Sequence, residues 1–119
     1  MAKILIAEDS KTQLYYLKSI LEQESHEIDT ATDGEMAEKK AMSRRYDLII
    51  LDIVMPKKNG YEVCRFLKNK AEFKHIPILI CSIKNLEIDK MWGLKQGASD
   101  FIVKPYNKDD LLASIQKYL

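Results

Sequence analysis

The sequence predicts an α/β fold: a doubly wound, five-stranded parallel sheet with helices on both faces, built from residues 1–119 as one domain. Three observations carry this. Five short apolar runs rich in Ile, Leu and Val fall at residues 3–7, 28–31, 47–51, 76–81 and 100–103. The stretches at 48–51 and 78–81 lack polar alternation, as strands buried on both faces do. Segments with helical spacing separate the runs, and strand–helix–strand alternation builds right-handed βαβ units.

Each element has its own signal. The first run ends at Glu8-Asp9. Leu14, Leu17, Ile20 and Leu21 share one face of the first helix, with Ser10 and Gln13 at capping-box spacing before it. Thr32 and Glu35 repeat that cap before a helix over 36–45, and Asn59 and Glu62 place it before a helix over 61–70. Asn85 is expected to cap a helix running to Gln96, with Gly97 as its stop. Asn107 opens the last helix, whose Leu111, Leu112, Ile115 and Leu119 are expected on one face.

Composition narrows the function. A chain of 119 residues can bury a core without staples. Its 19 Lys+Arg nearly cancel its 18 Asp+Glu, so charge gives no ground for nucleic acid as a partner. Lys39-Lys40 and Arg44-Arg45 read as a solvated helix face. The apolar runs are too short for membrane insertion, and the first residues do not form a signal peptide. Cys64 and Cys81 have no CxxC spacing and no neighbouring His, which excludes a zinc site or a disulfide framework. A reduced, cytoplasmic protein is expected, with Cys81 a buried free thiol and His26 and His75 in surface loops.

The chemistry lies where the strands end. Ligands of parallel sheets bind at the carboxyl edge, near the point where strand order reverses. On that edge fall Glu8 and Asp9, then Asp52, Ser82 and Lys104-Pro105. Three carboxylates carry a formal −3 and Lys104 leaves −2, a charge that calls for a hard divalent cation. Oxygen ligands without His or Cys suit Mg²⁺ better than zinc. With that charge offset a phosphoryl group can approach, and Asp52 is a suitable nucleophile for forming an acyl phosphate. Lys104 and the Ser82 hydroxyl then stabilise charge on the phosphoryl oxygens.

Over nearly its whole length the chain resembles the receiver domains of two-component response regulators. The resemblance rests on Glu8-Asp9, on Asp52-Ile53-Val54-Met55-Pro56 with Gly60 beyond, on Ser82, and on Lys104-Pro105. It implies a flavodoxin-like strand order 2-1-3-4-5, and Asp52 as acceptor of a phosphoryl group from a histidine kinase or phosphotransfer protein. Asp9, Asp52 and the Val54 backbone carbonyl would ligate Mg²⁺, with Glu8 acting mostly through water. Lys104 would pair with the phosphoryl group, Ser82 would move toward it, and Phe101 would be the aromatic switch. A cis Lys104-Pro105 bond is a further family trait. No output domain follows within these residues, so the expected output is contact with an effector protein through residues 85–119, as a monomer or weak dimer. Met91 and Trp92 lie there, and residues 87–93 resemble stand-alone receivers of twitching and chemotaxis-like pathways.

Two departures from the family bear on chemistry. Glu8 stands where Asp is more frequent, and Ile83 where a small residue is usual, so Ile83 is expected to narrow the path to Asp52. Phe101 has no hydroxyl, which leaves a switch based on packing or a plain core aromatic. Val54 and Lys84 hold positions that tune the phosphoryl lifetime in this family. A dehalogenase-type phosphatase needs a second Asp at the position of Val54, and a flavodoxin-like cofactor binder needs an uncharged phosphate loop in place of Glu8-Asp9-Ser10-Lys11. A receiver-fold interaction module that works without phosphorylation stays open.

Overall fold

A computed structural model describes all 119 residues. The chain runs β1 (Lys3–Ala7), α1 (Lys11–Gln23), β2 (Glu27–Ala31), α2 (Gly34–Ser43), β3 (Leu48–Leu51), α3 (Gly60–Lys68), β4 (Ile78–Ser82), α4 (Glu87–Lys95), β5 (Asp100–Val103) and α5 (Lys108–Gln116). The five strands form one parallel sheet in the order β2-β1-β3-β4-β5. No helix is long and apolar enough to cross a membrane.

Side-chain alternation along the strands divides the core in two. Leu5, Ala7, Ile49, Leu51, Ile78 and Ile80 face a cluster completed by Ala37 and Ala41 of α2 and Val63, Cys64 and Leu67 of α3. Ile4, Ile6, Leu48, Ile50, Leu79 and Cys81 face the other, closed by Leu14, Leu17, Ile20 and Leu21 of α1 with Leu111 and Ile115 of α5. Both faces of the central strands are therefore dry, which explains their unbroken apolar sequence. Each fully buried Ile or Leu contributes roughly 1.5–3 kcal/mol relative to exposure.

Register sets the functional edge. Ala7 pairs with Ala31 on one side and Leu51 on the other, so β1 and β3 end level. The Asp52 N–H donates to Ala7 O at 3.0 Å, and the Glu8 N–H to Ala31 O at 3.0 Å. The chain passes from β1 outward to β2 and returns to β3, which makes the gap above β1 and β3 the switch point of the sheet.

Several local expectations need correction. Asp33, not Thr32, caps α2: its carboxylate accepts from the Met36 N–H at 2.7 Å, a charge-assisted bond that a Thr hydroxyl cannot match. Asn85 does not cap α4, which starts one residue later with Leu86 at the N-cap; the Asp89 carboxylate accepts from the Leu86 N–H at 3.1 Å. The fourth strand begins at Ile78, because Pro77 has no N–H for the ladder. Leu119 lies beyond α5 and is exposed. A short 3₁₀ turn at Ala71–Phe73 has no signal in the apolar pattern. His26 is half-buried, its ring nitrogen accepting from the Ala2 N–H at 3.1 Å, whereas His75 is exposed.

Other caps follow the sequence. Asn59 and Glu62 form a reciprocal box at 2.9 and 3.1 Å, and Asn107 accepts from the Asp110 N–H at 2.9 Å. Gly97 follows α4 with φ of 106°, a conformation that glycine adopts without a Cβ penalty.

Candidate functional site

Glu8, Asp9 and Asp52 meet above β1 and β3, with ligand oxygens all within 4.8 Å of one another. Glu8 is buried, Asp52 half-buried and Asp9 exposed. Lys104 enters from β5, and the bond that follows it to Pro105 is cis. Its ammonium donates to Glu8, to Gln13 Oε1 at 2.5 Å and to Asp52 Oδ2 at 3.2 Å. Backbone amides hold the carboxylates from below: Ser10 N–H donates to Glu8 Oε2 at 3.0 Å and Ile53 N–H to Asp52 Oδ1 at 2.7 Å.

Electrostatics explain why Lys104 is held there. Burial raises the Glu8 carboxyl above its usual range; the Lys104 and Ser10 hydrogen bonds oppose that rise, and the charge of Asp52 adds to it. Burial on its own would lower Lys104. The Glu8 hydrogen bond and the Asp52 charge outweigh it and hold the ammonium above the ordinary lysine range. One cation against three carboxylates leaves a formal −2 at the edge of a low-dielectric sheet. An all-oxygen donor set of this charge fits a hard dication such as Mg²⁺.

The close approach of α3 helps fix Asp52. Gly60 opens that helix, and a Cβ there would lie 2.2 Å from the Asp52 carbonyl oxygen. Only glycine lets the helix come so near, while the Gly60 N–H donates to Ile53 O at 2.9 Å.

The remaining predicted residues surround this centre without all touching it. Ser82 ends β4 fully buried; its hydroxyl accepts weakly from the Lys84 N–H at 3.4 Å, and its carbonyl accepts from the Lys104 N–H at 2.8 Å. Val54 lies exposed on the loop after Asp52. Phe101 is half-buried against the α2–α3 side of the core. Ile83 is 69% exposed and lines, with Asp52 and Lys104, a cavity of about 280 Å³. Tyr16 and Tyr106 stack 6.2 Å apart beside it, and Cys81, Leu17 and Ile50 line its interior. Trp92 is 46% exposed on α4.

Gln13 was not singled out by the sequence as a site residue. Its spacing from Ser10 reads as a capping box, and half of that box exists: Ser10 Oγ accepts from the Gln13 N–H at 3.4 Å. The reciprocal half does not. The Gln13 side chain is engaged by Lys104, and Glu8 satisfies the Ser10 N–H instead.

A doubly wound sheet in the order 2-1-3-4-5, with an acidic cluster and a lysine on its carboxyl edge, is the architecture of a receiver-type signalling module. Residues 4–116 match the response regulator receiver domain, and the chain belongs to that family. Protein PilH of Pseudomonas aeruginosa is 40% identical over 119 residues, spanning all of this chain and 98% of PilH. Response regulator ArlR of Staphylococcus saprophyticus is 40% identical over the same span, which is 53% of its own length. Among solved structures, the chemotaxis response regulator CheY4 of Vibrio cholerae has a TM-score of 0.94 at 34% identity, covering all of this chain and 99% of that one. The receiver domain of sensor histidine kinase PA1611 from Pseudomonas aeruginosa has a TM-score of 0.91 at 25% identity over 98% of this chain and 96% of its own, and holds a magnesium ion in its active site cleft. Receiver domains bind Mg²⁺ at an acidic pocket and serve as signalling modules, in general without being enzymes.

Proposed function

We propose that Asp52 accepts a phosphoryl group from the phosphohistidine of a histidine kinase or phosphotransfer protein and loses it by hydrolysis. Between those events the chain changes its contact with an effector protein. The reading rests above all on the Lys104 ammonium joining Glu8 and Asp52 at the sheet's switch point, beside Asp9.

The residues divide the work. A carboxylate oxygen of Asp52 attacks phosphorus, the P–N bond to the imidazole breaks, and its electron pair stays on the departing ring. Lys104 donates to a phosphoryl oxygen, offsetting charge where it concentrates. Asp9, Asp52 and the Val54 carbonyl would hold Mg²⁺, with Glu8 acting mostly through water, and the ion would supply positive charge to offset the carboxylates as the phosphoryl group approaches. In hydrolysis a water oxygen bonds phosphorus and the P–O bond to Asp52 breaks, releasing phosphate and restoring the carboxylate. Self-phosphotransfer and this dephosphorylation are the whole of its catalysis.

Signal output follows from Ser82 and Phe101. The buried Ser82 hydroxyl moves to the phosphoryl group, β4 and its following loop shift with it, and Phe101 packs further inward. The surface of α4, β5 and α5 changes as a result, and this face, with Trp92 on α4, meets the effector in the cytoplasm. Adding beryllofluoride with Mg²⁺ tests the switch: Trp92 fluorescence and amide signals over 83–116 should change, and Asp52→Asn should abolish the change. An unchanged wild-type spectrum would leave a phosphate-independent interaction module.

A further inference from the structure

The proposed phosphoryl chemistry leaves the role of one polar contact open. A lysine ammonium has three N–H donors and no acceptor. In this structure Glu8, Gln13 and Asp52 take all three. Because lysine only donates, the amide oxygen of Gln13, not its nitrogen, faces Lys104. A phosphoryl oxygen can gain a Lys104 hydrogen bond only when one of the three partners gives it up.

Gln13 is the partner that gives way. As the phosphoryl group approaches, before the Asp52–phosphorus bond has formed, Glu8 and Asp52 both hold the ammonium by charge as well as by hydrogen bonding, whereas the amide is neutral and gives the weaker bond. Glu8 is buried, so abandoning it would strand a carboxylate out of water. Gln13 is exposed, and water replaces its lost donor. The broken capping box supports the same conclusion. Gln13 sits where its side chain would satisfy the Ser10 N–H, but Glu8 serves that amide and Gln13 reaches Lys104 instead.

Resting on the Asp52 phosphorylation reading, we infer that Gln13 is a positioning residue that competes with the phosphoryl group for the third donor of Lys104. It parks the ammonium at the rim of the cleft and sets how readily that donor turns to the phosphoryl oxygen. Its neutral amide makes the hold intermediate in strength, weaker than a carboxylate and stronger than an apolar side chain.

The test is a series at one position. Gln13→Met keeps length and helix propensity but has no comparable acceptor; Gln13→Glu replaces the amide by a charged one. Formation of the Asp52 adduct is followed with saturating Mg²⁺ and a small acyl phosphate donor, at moderate and high salt so that simple repulsion is screened. Rates should fall in the order Met, Gln, Glu, each step about two- to tenfold, the range of an ordinary hydrogen bond. Thermal midpoints should stay together, since Gln13 is exposed; shifts of opposite sign at constant stability are not what a purely structural role produces. Equal rates across the series, or a Glu variant faster than Met, overturn the inference while leaving Asp52 phosphorylation intact. An absence of any Asp52-dependent adduct in the wild type overturns both.

Discussion

Lys104 Nζ lies 3.2 Å from Asp52 Oδ2, across 52 residues of sequence and with one strand of the sheet, β4, between the strands that carry them. The contact exists because β3 and β5 end on the same edge, and because β4 between them carries the buried Ser82, whose carbonyl fixes the Lys104 backbone at 2.8 Å. Sheet register, more than any local motif, brings the acceptor and its cation together.

The acidic cluster should make stability depend on magnesium. Binding at ten times Kd adds about 1.4 kcal/mol, or about 4–7 °C in melting midpoint for a chain of this size. Asp9→Asn should melt higher than the wild type without metal, by about 0.5–1 kcal/mol of relieved repulsion, and lose most of the magnesium increment. Melting curves with and without Mg²⁺ decide it; a wild-type midpoint indifferent to the ion contradicts the charge argument.

Gly60→Ala should be costly for a residue that presents no side chain. Its Cβ would meet the Asp52 carbonyl oxygen at 2.2 Å, so α3 must retreat or Asp52 must move. A loss of about 2–4 kcal/mol is expected from such a backbone collision. Urea unfolding measures it, and a change under about 0.5 kcal/mol, the level of an ordinary surface substitution, would contradict the close approach.

Ile83→Ala should speed reaction with a small phosphodonor or the hydrolysis that follows. The side chain stands at the cavity mouth beside Asp52 and Lys104, exposed enough to be trimmed without opening the core. An increase of about two- to fivefold in either rate corresponds to less than about 1 kcal/mol of barrier. Adduct formation and decay, followed separately, would both have to stay unchanged to remove the idea.

The two thiols give an alkaline signature. Burial pushes Cys64 up to about 11 and Cys81 up to about 12, from an ordinary value of 9.0. Both stay protonated in the fold while the unfolded chain ionises them. Their stabilisation is therefore complete below about pH 9 and is lost as pH rises toward 11 and 12, at about 1.4 kcal/mol per thiol per pH unit. Urea midpoints should fall from pH 9 to 10, and less steeply in Cys64→Ala. Neither thiol should react with a disulfide reagent at pH 8 without unfolding; stoichiometric labelling of the native protein would contradict their burial.

Much of this was legible in the sequence, because parallel strands buried on both faces leave an unmistakable apolar run and the reactive residues fall directly after them. Glu8, Asp9, Asp52 and Lys104 could be placed on one edge from spacing alone. Other features depend on packing between distant segments. Asn85 and Thr32 carry cap-forming side chains, yet both helices start one residue later, where Asp33 takes the Met36 N–H and Asp89 reaches back to the Leu86 N–H. Gln13 was hidden by a local motif that accounts for its identity equally well. Only the arrival of Lys104 from β5, 91 residues later, takes its side chain away from that motif.

Intact mass after incubation with Mg²⁺ and a small acyl phosphate, wild type beside Asp52→Asn, decides whether this edge is a phosphoacceptor. One added phosphoryl group in the wild type, dependent on Mg²⁺ and absent from the variant, is the expected result. A wild-type mass that never changes, or an adduct that persists in Asp52→Asn, would contradict the assignment of Asp52.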